Sequence, residues 1–205
     1  MTRFLLVRHG ETEWTRTGRI QGQLNIPLTP LGVRQAERLR ERLRGESIDA
    51  VYASDLGRAM DTAQLAVPGL SIEQCAELRE CSFGEIDGRD FAYVQQHYPA
   101  LARRWLRRWQ GLSFPGGESV SQVLNRTSAC FREFRRRHRS GTVLVVAHNG
   151  PLRSGVCTLM GWGRRRWWDL HLSPASLTVV ETSPPRLLLF DDTGHLDSLG
   201  AGGSE

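Results

Sequence analysis

Lysine is absent from this chain: all 27 basic residues are arginine. A Walker-type phosphate loop needs its lysine at the nucleotide phosphates, a protein kinase needs its strand lysine, and Schiff-base or pyridoxal chemistry needs a lysine amine. None of these can operate here. Cysteine is scarce, at Cys75, Cys81, Cys130 and Cys157. They form no Cys-x-x-Cys pair and have no histidine at zinc spacing, so neither a metal knuckle nor a disulfide framework is signalled, and the four read as reduced, mostly buried thiols. Long apolar runs are missing too. The stretch from Phe4 to Val7 is too short for a signal peptide, and nothing approaches a membrane span. The expected setting is the cytoplasm, with no membrane partner.

What is present is ordinary for a soluble globular chain. The 205 residues suffice for one domain with a sizeable core, and 40% hydrophobic with 24% charged residues argues against wholesale disorder. A net charge of +5 mildly favours acidic partners, both anionic small molecules and nucleic acid.

Phe4–Val7 reads as a buried strand ending at Arg8-His9-Gly10. A loop follows to Leu28, then Thr29-Pro30 opens a helix with Gly32, Ala36, Leu39 and Leu43 on one face, closed by Gly45. Ala50–Ala53 predicts a second strand, with Ser54-Asp55 as cap of a helix carrying Arg58, Ala59 and Thr62 to about Ala66. Residues 77 to 117 are less regular and rich in Arg and Trp; they are read as a helical insertion, about 81–117, over the sheet. From Glu118 a long helix carries Val120, Val123, Leu124, Phe131 and Phe134, and Thr142–Ala147 is a continuous apolar strand of the parallel-sheet kind. A helix over about Pro151–Met160 and apolar segments at Leu177–Val180 and Leu187–Phe190 complete the alternation. The order predicts a three-layer α/β/α fold with a mostly parallel sheet, one domain over 1–197 and a Gly-rich flexible tail at 198–205.

In open α/β sheets, ligands bind beyond the carboxyl ends of the strands. His9 and His148 each follow a predicted strand directly, with a glycine nearby. Arg58 comes just after the second strand, and Arg8 adjoins His9. Two imidazoles and two guanidinium groups converging on one place suit a tetrahedral oxyanion, because the planar guanidinium fork donates paired, charge-assisted hydrogen bonds to phosphate. Phosphate monoesters demand accelerations of up to about 10²¹-fold, whereas one general acid or base supplies about 10² to 10⁴. Several cations, a nucleophile and an acid are therefore needed together. Glu80 is the carboxyl group best placed by sequence to be that acid.

These residues resemble a known family. Leu6-Val7-Arg8-His9-Gly10-Glu11-Thr12, Gly18-Arg19-Ile20-Gln21-Gly22, Pro27-Leu28-Thr29 with Gly32, Ser54-Asp55-Leu56-Gly57-Arg58-Ala59, Glu80 with Gly84 and Gly88, Gly117-Glu118-Ser119 and Val146-Ala147-His148 stand in the order of the histidine phosphatase superfamily, phosphoglycerate mutase-like branch. The resemblance spans about residues 3 to 182. It implies a phosphohistidine on His9, with Arg8, Arg58 and His148 holding the phosphoryl oxygens. Glu80 would protonate the leaving alcohol and then activate water. It implies no metal and no cofactor, and places Thr15, Gln21, Gly22 and Asn149 at the substrate.

Two departures bear on the activity. Thr15 stands where the family commonly has Asn, and Cys81 and Phe83 stand where the mutases carry an Arg and a Tyr for phosphoglycerate. The chain is also shorter than the cofactor-dependent mutases. The expectation is a metal-independent phosphomonoesterase acting on a small phosphorylated metabolite. The alternatives are a phosphoglycerate mutase and a non-catalytic phosphate- or nucleic-acid-binding module. A homodimer is one assembly such a chain can adopt. His97, His138, His171 and His195 fall outside the motifs and are read as non-catalytic. The run Arg103-Arg104-Trp105-Leu106-Arg107-Arg108-Trp109 interleaves base and aromatic in a manner able to bind nucleic acid. The preferred reading sets Trp105 and Trp109 on one apolar helix face beside solvated arginines. A third has the insertion cap the site and offer arginines to a second acidic group on the substrate. Arg164–Arg166 with Trp167 and Trp168 admits the same three.

Overall fold

A computed structural model describes residues 1–109 and 111–200. The six strands β1 (Thr2–Arg8), β2 (Ala50–Ala53), β3 (Ile72–Gln74), β4 (Gly141–Ala147), β5 (Leu177–Thr182) and β6 (Pro185–Asp192) form one sheet in the order β3-β2-β4-β1-β5-β6. The pairings β1·β4, β2·β4 and β2·β3 are parallel, while β5 and β6 close the far edge antiparallel.

The apolar runs are continuous because the central strands are covered on both sides. Phe4 and Leu6 of β1 and Val143, Val145 and Ala147 of β4 pack with Phe131, Phe134, Leu152, Val156 and Leu159 from helices α6 (Val120–Arg137) and α7 (Asn149–Met160). Alternate residues Leu5, Val7, Leu144 and Val146 face Leu39, Ala59 and Ala63 from α2 (Pro30–Arg42) and α3 (Gly57–Ala66). The result is three layers, α/β/α. A third apolar cluster holds the insertion: Ile86, Val94 of α4 (Phe91–His97), Ala102 of α5 (Pro99–Leu106), Leu112 and Phe114 pack onto Val120, Val123 and Leu124 of α6.

Four local expectations change. Ser54-Asp55 does not cap α3: the cap position is Leu56, with no side-chain cap bond, because Ser54 is engaged by His148 and Asp55 pairs with Arg79. α7 begins at Asn149 rather than Pro151, with His148 itself as the cap residue. The loop before Leu28 contains a short helix, α1 (Glu13–Arg16), closed by a capping box between Thr12 and Thr15. Finally, α5 ends at Leu106, so Trp105 and Trp109 share no helix face. Trp105 stacks on Phe83 and meets Phe91 and Phe114 edge-on, while Trp109 is 48% exposed beneath the Arg104 guanidinium. At the C-terminus a short helix, α8 (Asp197–Gly200), covers the first residues of the expected tail; residues 201–205 lie outside the described residues.

Candidate active site

The parallel register brings two strand ends level: Arg8 pairs with Ala147, and the next residue of each strand is a buried histidine. His9 and His148 stand with ring centroids 5.1 Å apart. The backbone N–H of His9 still donates to Ala147 O at 3.0 Å, which extends the sheet one residue into the site.

The hydrogen bonds fix both rings. Nδ1 of His9 lies 2.7 Å from the carbonyl oxygen of Gly10, and since a carbonyl can only accept, Nδ1 carries the proton and Nε2 is left as the bare lone pair. Arg58 donates its Nε–H to two acceptors at once, His9 Nε2 at 3.3 Å and His148 Nδ1 at 3.2 Å. With Nδ1 of His148 accepting, its Nε2–H donates to Ser54 Oγ at 2.9 Å. Burial, then the Arg58 and Arg8 cations, hold the His9 imidazole well below its ordinary range; burial, then Arg58, does the same at His148. Both rings are neutral at pH 7.

Arg58 is itself buried and rigidly anchored. Its Nη1 donates to Leu24 O at 2.8 Å and its Nη2 to Gly22 O at 2.7 Å, and burial lowers it to about 10, leaving it charged at neutral pH. Arg8 donates Nη1 to Leu172 O, while its buried Nε has no partner among the described residues. Burial lowers Arg8 as well, with Glu80 and Asp191 opposing.

Glu80 lines the same cleft of about 250 Å³ as Arg8, His9 and Arg58. Its carboxylate accepts from the backbone N–H of Cys81 at 2.9 Å and of Gly150, in the first turn of α7, at 3.2 Å. A Cβ at position 150 would lie 2.4 Å from Glu80 Oε1, so only glycine lets the helix start approach the Glu80 carboxylate this closely. The Glu80 carbonyl is gripped by Gln23 and Arg126, the latter also binding the carbonyls of Glu77 and Arg79.

The remaining sequence-predicted residues divide. Gln21 lines the cleft with a buried Nε2 that has no partner among the described residues, its Oε1 accepting from Thr12 Oγ1. Gly22 supplies the carbonyl that holds Arg58, at φ +54° and with Asp87 filling the space of a Cβ. Asn149 lines the cleft with Oδ1 occupied by the Leu172 N–H. Thr15 also lines it, but its hydroxyl proton goes to Thr12 O at 2.9 Å, inside the capping box. Sequence reasoning missed Ser54 as the partner of His148, Thr62 as acceptor for the Gly10 N–H, and Arg126 as anchor of the acid loop. Ser54 follows its strand directly, but its pairing with His148 depends on the β2·β4 register.

The histidine phosphatase superfamily (branch 1) model matches residues 4–190. The chain belongs to this superfamily. This histidine phosphatase is 35% identical over 200 residues to "Phosphoserine phosphatase 1" of Hydrogenobacter thermophilus, covering 96% of this chain and 95% of the relative. It is 31% identical over 210 residues to the "Metal-independent phosphoserine phosphatase" of Arabidopsis thaliana, covering 98% and 85%. Among solved structures, the alpha-ribazole phosphatase of Shigella flexneri superposes with a TM-score of 0.85 at 26% identity, over 93% of this chain and 96% of that one.

Proposed function

We propose that this histidine phosphatase is a metal-independent phosphomonoesterase of small phosphorylated metabolites, working through a phosphohistidine at His9. The supporting observation is the fixed tautomer: a buried, neutral imidazole with Nδ1–H tied to Gly10 O and Nε2 free of its own proton, facing two arginines and a second histidine. In the first step His9 Nε2 attacks phosphorus, the P–O ester bond breaks, and the departing alcohol oxygen takes the proton of the Glu80 carboxyl group. In the second, Glu80 as carboxylate takes a proton from water, the water oxygen attacks phosphorus, the P–N bond breaks and inorganic phosphate leaves. Arg8, whose buried Nε has no partner among the described residues, Arg58 and His148 stabilise the charge on the equatorial oxygens. The incoming dianion reverses the sign of the local field and favours a protonated, donating His148. Gln21 and Asn149 bind through their amide nitrogens, Gly22 by positioning Arg58, and Thr15 by shaping the cleft.

Residues 1–197 act as one unit in this reading, with the 81–117 insertion over the cleft, a cytoplasmic setting, and a homodimer as an assembly that sedimentation would reveal. The deciding experiment is a rapid acid-free quench of the protein with ³²P-labelled ester. Label on His9 that chases into inorganic phosphate supports the reading. Label that chases instead to a second alcohol acceptor makes the protein a mutase, and turnover without a labelled protein removes the covalent step.

A further inference from the structure

Beside the phosphate cleft lies a second cavity, of about 130 Å³, which shares Glu80, Phe83, Trp105 and Asn149 with it. Its walls are otherwise largely apolar and aromatic, with Phe114 and Trp168 completing the ring surfaces. Apolar cavities of about 150 Å³ take one benzene ring. The cavity adjoins the alcohol side of the proposed site, because Glu80, the proposed proton donor to the leaving oxygen, lines both volumes.

One cation is built into this apolar lining. Arg153 of α7 lies over the Trp167 ring, its Cζ 3.7 Å from the ring centroid, and its Nε donates to Trp167 O at 2.6 Å. Trp167 is locked in turn, its indole N–H donating to Gly150 O at 2.9 Å. Among the described residues no carboxylate comes within ion-pair distance of Arg153, and its two terminal nitrogens have no hydrogen-bond partner. Burial lowers the guanidinium to about 10, so it keeps its charge at neutral pH. A half-buried, charged guanidinium on the wall of an aromatic cavity, with no protein acceptor for its terminal nitrogens among the described residues, is suited to pair with an arriving anion. Two parallel donors match the two oxygens of a carboxylate, whereas a second phosphate dianion would leave charge unmatched by a single cation.

We infer that Arg153 and the aromatic walls form a leaving-group subsite, and that the substrates this enzyme favours are phosphomonoesters whose alcohol carries a flat apolar body and a carboxylate. The inference rests on the phosphatase reading above, and goes beyond it in assigning Arg153 as a specificity-determining residue.

Equilibrium binding separates the two. Tryptophan fluorescence of the full chain is titrated with benzylphosphonate and with para-(phosphonomethyl)benzoate, a pair that differs by one carboxylate and cannot be hydrolysed. Wild type is expected to bind the carboxylated compound at least about tenfold more tightly, as a charge-assisted hydrogen bond implies, and Arg153→Met to bring the two affinities together. Equal affinities in wild type, or a preference that survives in Arg153→Met, overturn the subsite. Should Arg153→Met fail to fold, Arg153→Gln, which keeps a donor for Trp167 O, decides by the same ratio. If Arg153 merely braces Trp167, both variants lower the melting temperature and leave the affinity ratio alone, which also overturns it. Turnover of p-nitrophenyl phosphate is measured in parallel. Wild type that hydrolyses it without the carboxylate preference loses only the subsite; wild type with the preference but no hydrolysis of any ester loses only the phosphatase reading.

Discussion

The two halves of the cleft are built by different means. The phosphate half is made at the ends of β1, β2 and β4, where parallel register sets His9 and His148 side by side and Arg58 reaches both. His9, His148, Ser54 and Arg58 are held there by directional hydrogen bonds, and the buried central strands β1 and β4 leave little room to move. The alcohol half is made by packing: Phe83, Trp105 and Phe114 from the insertion meet Trp167 and Trp168 from the turn after α7, with few directional bonds. The contrast teaches a division of labour. In the proposed reading, bond-making chemistry sits where hydrogen bonds fix geometry, and choice of alcohol sits where side-chain shape and a single cation do.

The largest test of that division is His9→Ala, expected to lower kcat by about 10⁶-fold, the scale of removing a covalent nucleophile. Circular dichroism should show an unchanged fold; activity near wild type would mean the phosphate half is misassigned. Next comes Glu80→Gln, on the wall between the halves. It should slow alkyl phosphates by about 10² to 10⁴ while sparing p-nitrophenyl phosphate, whose leaving group needs little protonation. Equal losses on both would remove Glu80 as the acid. Ser54→Ala takes the acceptor from His148 Nε2–H and should cost about 1 kcal/mol of transition-state stabilisation, read as a several-fold drop in kcat with KM little changed.

A smaller effect is read in stability. Because burial and the arginines keep His9 and His148 neutral in the fold, the unfolded chain takes up protons below about pH 6.5 that the folded chain refuses, and stability falls as the pH drops. Asp87 works the other way. Burial raises its carboxyl to about 6, so the folded chain gains a proton there before the unfolded one does, which adds stability on acidification. Thermal melts at pH 7 and pH 5 should therefore show a steeper loss in Asp87→Asn than in wild type; a shallower loss contradicts the assignment. Smallest of all, Thr15→Val should cost about 1 kcal/mol of stability through the lost capping box and change KM little, since its hydroxyl proton is already bound to Thr12 O.

Arg8, His9, Arg58 and His148 were legible in the sequence because each ends or follows a strand or lies in the first turn of a helix, while their roles on a phosphoryl group came with the motif resemblance. The covered sheet and the helices α2 and α6 were legible from apolar runs and helical spacing. What escaped was whatever depends on contacts distant in sequence. β3 has only Ile72 as a buried-side signal, too little for a period. Ser54 reads as a helix cap until the partner strand supplies His148. The spacing of Trp105 and Trp109 suggested one face, but the helix ends at Leu106 and Arg108 turns the chain with φ +54°. Arg153 sits on a helix whose other residues read as plain core, and only the fold of the insertion reveals the cavity it borders.

The Arg58 Nε–H is a single hydrogen serving two nitrogens, so neither ring nitrogen has a donor to itself. A tetrahedral oxyanion, the departing product no less than the incoming ester, meets the Arg8 and Arg58 cations and draws a second proton onto an imidazole, which turns a ring nitrogen from acceptor to donor. Inorganic phosphate is thus a natural competitor for this socket, and vanadate or tungstate, with similar shape and charge, should occupy it as durable mimics.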